Sequence, residues 1–123
     1  MTEVKYLIKS DSIDIHREII EKFGGTEGIL NEGLLDIVLE QMRISKDIIQ
    51  KSIILLFGVI QNHPFIDGNK RTALESFYTF LNYNSINFKI KDLNETEDII
   101  LKIARNDISR NIVRKWIENI IND

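Results

Sequence analysis

The sequence has 123 residues, of which 43% are apolar and 28% charged, and its net charge at pH 7 is −3. This composition predicts one globular domain, residues 1–123, and excludes a disordered chain, while the acidic balance excludes the basic surface of a general nucleic-acid binder. The chain has no cysteine, which excludes disulfide bonds, and no apolar run near the roughly 18 residues of a membrane span. We therefore expect a cytoplasmic protein that binds neither membranes nor nucleic acids directly.

Six segments carry apolar residues at helical spacing and are separated by residues that cap or end helices. They predict an all-α, compact bundle of about six helices with almost no sheet. The first predicted helix has Ser10 or Asp11 as its cap and runs to about Phe23, and the next three run from Glu32 to Met42, from Lys46 to Asn62 and from Asn69 to Tyr83. Ser45 is the predicted cap of the third helix, and Asn94 and Ser109 are those of the fifth and sixth. Residues 86–90 alternate between apolar and polar and predict a short extended segment.

The third predicted helix is apolar on nearly all sides between Ile48 and Ile60. Helices that are apolar all round are buried, so we expect this one at the centre of the bundle. Gly58 within it indicates a close crossing with another helix. Trp116 follows the apolar spacing of the last helix and is most simply a core residue.

Two features of the first third of the chain have more than one interpretation. His16 lies on the first predicted helix, where a hydrogen-bonded structural histidine is favoured over a ligand or a catalyst. From Gly24 to Gly33 four glycines occur in ten residues. This segment is either an exposed connector or a flap on which a second polypeptide docks, and the sequence leaves both open.

The segment from His63 to Ala73 holds the only proline of the chain. Because a residue before proline avoids helical geometry, Pro64 predicts that the central helix stops at His63. A new helix begins near Asn69, and its unpaired N–H groups and positive dipole end would attract an anion. Gly68 allows the backbone to turn tightly and to approach a ligand closely.

Two cations, Lys70 and Arg71, lie in the first turn of that predicted helix, where the helix dipole disfavours them. A bound polyphosphate would account for both, because it would meet the N–H groups, the dipole and the two side chains together. Asp67 beside them suits Mg²⁺, which one carboxylate plus substrate phosphates commonly hold. His63 is then the candidate general base.

The same residue types also occur in an ordinary turn between two helices. Asp67 or Asn69 could cap the following helix, Arg71 could pair with Glu75 one turn on, and Phe65 could simply fill the core.

The run His-Pro-Phe-x-Asp-Gly-Asn at residues 63–69 resembles the signature of the Fic/Doc family, and its continuation, Lys-Arg-Thr-Ala, resembles the Doc branch of death-on-curing toxins. The resemblance implies a small helical bundle of the Fic/Doc type that transfers part of a nucleoside triphosphate to a protein hydroxyl. It implies that His63 is the base, that Asp67 binds Mg²⁺, and that Gly68 and Asn69 form an anion hole. Lys70 and Arg71 would contact the phosphates of ATP.

Two positions depart from the pattern of Fic proteins that transfer AMP. That pattern has glycine where this chain has Lys70, and a second arginine where it has Leu74. Doc-like proteins share both departures and resemble kinases, with the nucleotide reversed so that the γ-phosphate meets the acceptor. The resemblance then implies a threonine of elongation factor Tu as the target and a block of translation.

Many Fic proteins carry an inhibitory motif, Ser/Thr-x-x-x-Glu-Gly/Asn. The two candidate places, Gly28 to Gly33 and Arg114 to Asn119, begin with the wrong residue. We therefore expect restraint by a separate chain, the antitoxin of a toxin–antitoxin pair. Two alternatives stay open: an AMP transferase on the same scaffold, and a non-catalytic helical binding module.

Overall fold

A computed structural model describes residues 3–121, and in this range the chain folds into six helices without any strand. The helices are α1 (Lys9–Phe23), α2 (Glu32–Ile44), α3 (Ile48–Asn62), α4 (Asn69–Tyr83), α5 (Leu93–Ala104) and α6 (Arg110–Ile121). The predicted all-α bundle with almost no sheet is confirmed. None of the helices in residues 3–121 combines the length and the apolar character needed to cross a membrane.

Aspartates, rather than the predicted residues, cap α3 and α5. The Asp47 carboxylate accepts the N–H of Gln50 at 2.8 Å, so the prediction of Ser45 as cap was wrong. Asp92 takes the place predicted for Asn94 and accepts two N–H groups of the first turn of α5. A carboxylate forms a charge-assisted bond and complements the helix dipole, which favours it over a nearby neutral cap.

The start of α1 also differs from the prediction. The helix begins at Lys9, so Ser10 and Asp11 both lie inside its first turn and the prediction of either as the cap was wrong. The Asp11 carboxylate accepts the N–H of Ile8 at 2.9 Å, so it supports the helix start without being its cap. Ser109 caps α6 as predicted, since its hydroxyl accepts the N–H of the residue three positions on at 3.2 Å.

The α3 helix lies at the centre of the bundle, as predicted, and packs against α2, α4, α5 and α6. A Cβ added to Gly58 would lie 2.6 Å from Cγ2 of Val38, which confirms the predicted close crossing and assigns it to α2. The ring of Trp116 lies 5.8 Å from that of Phe77 in the core, also as predicted.

Two connections complete the bundle. Residues 86–90 form no strand, and the Lys89 N–H instead donates to the carbonyl of Ile120 at 2.8 Å. Residues 63–68 join α3 to α4, which pack against each other, and α1 packs on α4. The turn at residues 63–68 is therefore bordered by α1 and the segment that follows it.

Candidate active site

His63 lies where the sequence predicts it, directly after α3. Its backbone is left-handed, with φ 51° and ψ 60°, and its N–H donates to the carbonyl of Val59 at 3.2 Å. The side chain is exposed. A left-handed conformation costs a residue with a Cβ about 1–2 kcal/mol, and strain of this kind clusters at functional sites.

Phe65 and Asn69 hold the turn together. Phe65 is almost fully buried, so it anchors the turn in the core as predicted. The Asn69 amide accepts the N–H of Phe65 at 3.0 Å and donates to its carbonyl at 2.9 Å. Asn69 is the first residue of α4 and not its cap, and the amide atoms that bind Phe65 face the turn. What Asn69 offers an anion is therefore its backbone N–H.

Gly68 precedes α4 in a left-handed conformation, with φ 69°. A Cβ at this position would lie 3.2 Å from Cδ1 of Ile20 on α1, so there is little room for a side chain. The N–H groups of the first turn of α4 have no acceptor further back in the helix, and that turn carries no acidic residue. The start of α4 is therefore an open, positively polarised end.

The segment between α1 and α2 packs against Asp67. One carboxylate oxygen, Oδ1, accepts the N–H of Gly68 at 2.9 Å, and the other, Oδ2, accepts the N–H of Thr26 at 3.3 Å. A Cβ added to Gly25, whose φ is 113°, would lie only 2.7 Å from Oδ2. The carboxylate therefore has one side against this segment.

Three backbone hydrogen bonds attach the same segment to the turn. The carbonyl of Pro64 accepts the N–H groups of Leu30 at 2.8 Å and Asn31 at 3.0 Å. The N–H of Ile66 donates to the carbonyl of Gly28 at 3.0 Å. The glycine-rich segment, residues 24–31, thus lies along the turn and is more than a loose connector. Whether a second polypeptide docks on it stays a prediction.

Lys70 and Arg71 are exposed on the first turn of α4. The guanidinium of Arg71 lies 4.2 Å from the ring centroid of Phe23, the last residue of α1. This cation–π contact holds the cation beside the helix start, at a residue that the sequence analysis did not connect with the site.

A cavity of about 640 Å³ opens beside these residues. It is lined by Asp67, Gly68, Asn69, Lys70, Arg71, Leu74, Tyr78, Leu93, Thr96, Glu97, Ile100 and Leu101. One end is the polar start of α4, and the opposite wall is contributed by α5. Burial raises the pKa of Tyr78 to about 12, with Glu75 adding to the effect, so its phenol stays protonated at neutral pH.

The cavity brings together every predicted site residue except His63, which is exposed at the end of α3 and is not part of the lining. A second cavity, of about 460 Å³, lies along α3 beside Ser45, Phe57 and Arg110 and contains none of the predicted site residues. Five of the six predicted site residues therefore line the α4–α5 cavity.

Within residues 3–121 no cluster of three or more His, Asp or Glu side chains could hold a metal ion. Asp67 supplies one carboxylate at the polar end of the cavity. This donor set does not fit a metal held by protein alone. It fits Mg²⁺, which keeps several waters and takes further oxygens from substrate phosphates.

His16 is buried and has the hydrogen-bonded environment that the sequence analysis favoured. Its Nε2 accepts the N–H of Gly28 at 3.3 Å, and its Nδ1 lies 3.3 Å from the hydroxyl of Thr72. Burial lowers the pKa of His16 below 6.5, against the opposing charges of Glu27 and Asp67. The ring is therefore neutral at pH 7, which leaves Nε2 free to accept.

Sequence similarity relates the chain to known proteins. The model of the Fic/DOC family matches residues 6–81. The toxin Doc of Mycolicibacterium smegmatis (strain ATCC 700084 / mc(2)155) is 30% identical over 93 residues, which cover 69% of this chain and 72% of that protein. The protein kinase doc of Escherichia phage P1 is 28% identical over 112 residues, 86% of this chain and 87% of that protein. The chain belongs to the Fic/Doc family and resembles its Doc toxins.

Proposed function

We propose that this protein is the toxin of a toxin–antitoxin pair and that it transfers the γ-phosphate of ATP to a protein hydroxyl. The observation that carries the proposal is the α4–α5 cavity, in which an anion-attracting helix start with Lys70 and Arg71 adjoins a mostly apolar wall. A nucleotide matches both parts of the cavity: its polyphosphate suits the helix start, and its flat, weakly polar base suits the wall.

The orientation of the nucleotide follows from Leu74. This side chain lies in the cavity one turn beyond Lys70, and it cannot bind a phosphate. The phosphates therefore belong at the start of α4, and the nucleoside belongs against Leu74 and Tyr78. In this orientation the terminal phosphate is the one next to the turn, which favours transfer of the γ-phosphate over transfer of AMP.

The predicted site residues have distinct roles in this reaction. The first-turn N–H groups of α4, with Lys70 and Arg71, bind and orient the phosphates and stabilise the charge that develops on them. Asp67 holds Mg²⁺, which, when bound, withdraws charge from the phosphate oxygens. His63, exposed directly after α3, takes the proton of the acceptor hydroxyl.

The partners of the reaction are proteins. The M. smegmatis relative is named a toxin and the phage P1 relative a protein kinase, which supports a toxic protein phosphotransferase. We assign restraint to an antitoxin encoded separately, and the acceptor to a threonine of elongation factor Tu, so that translation stops. The activity belongs to the cytoplasm, where ATP and the translation machinery occur.

The test is one incubation with ATP labelled at either the α- or the γ-phosphate, together with Mg²⁺ and purified elongation factor Tu or whole lysate. We expect γ-label on a protein band, loss of about 10²–10⁴-fold in His63→Ala, and no loss in the neighbouring exposed variant Asn62→Ala. Label from the α-phosphate would identify an AMP transferase instead. No transfer from either position to any protein would contradict an enzymatic function.

A further inference from the structure

We infer that His16 is a positioning residue that holds the glycine-rich segment, residues 24–31, against the Asp67 carboxylate. The inference rests on the proposed function, in which Asp67 binds Mg²⁺ together with the nucleotide.

His16 contacts three separate parts of the site. Its side chain is only 2% exposed. Nε2 accepts the N–H of Gly28 at 3.3 Å, so the ring proton is on Nδ1, which donates to the Thr72 hydroxyl on α4 at 3.3 Å. The ring face stacks on Phe65 of the turn, with centroids 4.2 Å apart and planes 12° from parallel. One residue of α1 thus joins the segment, the turn and α4.

Gly28 connects His16 with the part of the segment that contacts Asp67. Its N–H binds His16, and its carbonyl accepts the N–H of Ile66 at 3.0 Å. Two residues before it, the N–H of Thr26 donates to Oδ2 of Asp67. The side chains from residue 21 to residue 27 are exposed, so packing contributes little to holding this part of the segment. The hydrogen bond to His16 therefore helps to fix where Thr26 and Gly25 meet the carboxylate, together with the Arg17–Glu27 ion pair and the backbone bonds that attach the segment to the turn.

The alternative interpretation is that His16 only fills space in the core and makes its own hydrogen bonds there. Two substitutions separate the interpretations, because each keeps one of its two hydrogen bonds. In His16→Asn the amide replaces the Nδ1 side, which keeps the contact to Thr72 and loses the one to Gly28. In His16→Gln the longer side chain reaches the place of Nε2, keeps an acceptor for Gly28 and loses Thr72.

The experiment measures by calorimetry the Mg²⁺ concentration at which a non-hydrolysable ATP analogue binds half-maximally, and by amide exchange the protection of Gly28 and Thr26. In His16→Asn we expect this concentration to rise about 10-fold or more, the scale for residues that orient a metal ligand, and both amides to exchange faster. In His16→Gln both readouts should stay close to wild type. A core-filling role predicts instead that the two variants lose thermal stability without a difference in Mg²⁺ dependence.

Gly25→Ala provides a second variant that leaves His16 intact, in case His16→Asn does not fold. Its Cβ would lie 2.7 Å from Oδ2 of Asp67, so it should raise the required Mg²⁺ concentration in the same way. Equal Mg²⁺ dependence in wild type and a folded His16→Asn would overturn the inference and leave the proposed function standing. If His16→Asn does not fold, equal Mg²⁺ dependence in wild type and Gly25→Ala has the same meaning, because the contact between the segment and Asp67 would then not matter. A wild-type protein that binds the analogue without any Mg²⁺ dependence would overturn the metal role of Asp67, and the inference with it.

Discussion

The substitution Lys70→Ala tests the phosphate-binding role of the α4 start, because it should change activity and stability in opposite directions. Lys70 is the second residue of α4, is exposed, and lies in a first turn without acidic residues. The helix dipole disfavours a cation there by about 0.3–1 kcal/mol. Without nucleotide, the alanine variant should therefore be slightly more stable, which for a domain of this size corresponds to a melting temperature about 1–4 °C higher.

Activity should respond in the other direction. If Lys70 stabilises charge on the transferred phosphate, its loss should lower γ-phosphate transfer by about 10²-fold or more, the effect of removing one preorganised donor. In an AMP transferase Lys70 would obstruct the site, and Lys70→Gly should raise α-label transfer. Because glycine is a poorer helix former than alanine, the Lys70→Gly variant should be less stable than Lys70→Ala by up to about 1 kcal/mol in free energy of unfolding.

The assay combines labelled-ATP transfer with a thermal melt of the nucleotide-free protein. Lys115→Ala is the matched control, because Lys115 is exposed in the middle of α6, away from the cavity and from either helix end. Lys115→Ala should leave γ-phosphate transfer unchanged. It should also lack the rise in melting temperature that removal of a cation from the helix start produces in Lys70→Ala. Undiminished γ-phosphate transfer in both Lys70 variants would refute the phosphate-binding role, whatever happens to stability.

Three further predictions concern the backbone and the helix starts. Gly58→Ala should destabilise the protein in urea unfolding, because a clash with Val38 costs about 1–3 kcal/mol and outweighs the gain in helix propensity. Adding Val38→Ala to the same chain should restore part of the lost stability. A Gly58→Ala variant that is more stable than wild type would contradict this. Asp47→Ala should cost about 0.5–2 kcal/mol at pH 7. The hydrogen bond from the Gln50 N–H lowers the pKa of Asp47 below 3.8, so this stabilisation exists above pH 3.8 and is lost as pH falls through the folded-state pKa. The free energies of unfolding of wild type and variant should therefore converge at low pH. A difference that stays constant with pH would argue against the cap. His63→Gly and His63→Ala should both lose transfer, but the glycine variant should be more stable by about 1 kcal/mol, since φ at this position is 51°; equal melting temperatures would argue against backbone strain.

The fold and the turn were predictable because their signals are local. Helical spacing of apolar residues identified all six helices, and Pro64 and Gly68 marked the end of α3 and the start of α4. Phe65 as a core-filling residue, Gly58 as a crossing point and His16 as a buried, hydrogen-bonded residue followed from residue type and position. Where several capping residues lie within one turn, as before α3 and α5, sequence does not decide which side chain meets the free N–H groups.

The parts of the site that the sequence did not reveal depend on contacts between distant residues. Phe23 under Arg71 and Thr26 beside Asp67 are examples, because no local rule brings the end of α1 to the start of α4. The α5 wall of the cavity is another, since its apolar residues repeat like those of any helix with one buried face. The clamp of Asn69 on the Phe65 backbone was hidden for a different reason: an asparagine beside a glycine suits a cap equally well.

The position of α5 in the chain determines when the cavity is completed during synthesis. The signature residues 63–73 emerge from the ribosome well before Leu93–Ala104, yet this later helix supplies one wall of the cavity and buries Ile103 in the core. A nascent chain that ends before Leu93 thus carries the complete signature and only part of the cavity lining. The cavity is therefore complete only after most of the chain has been synthesised.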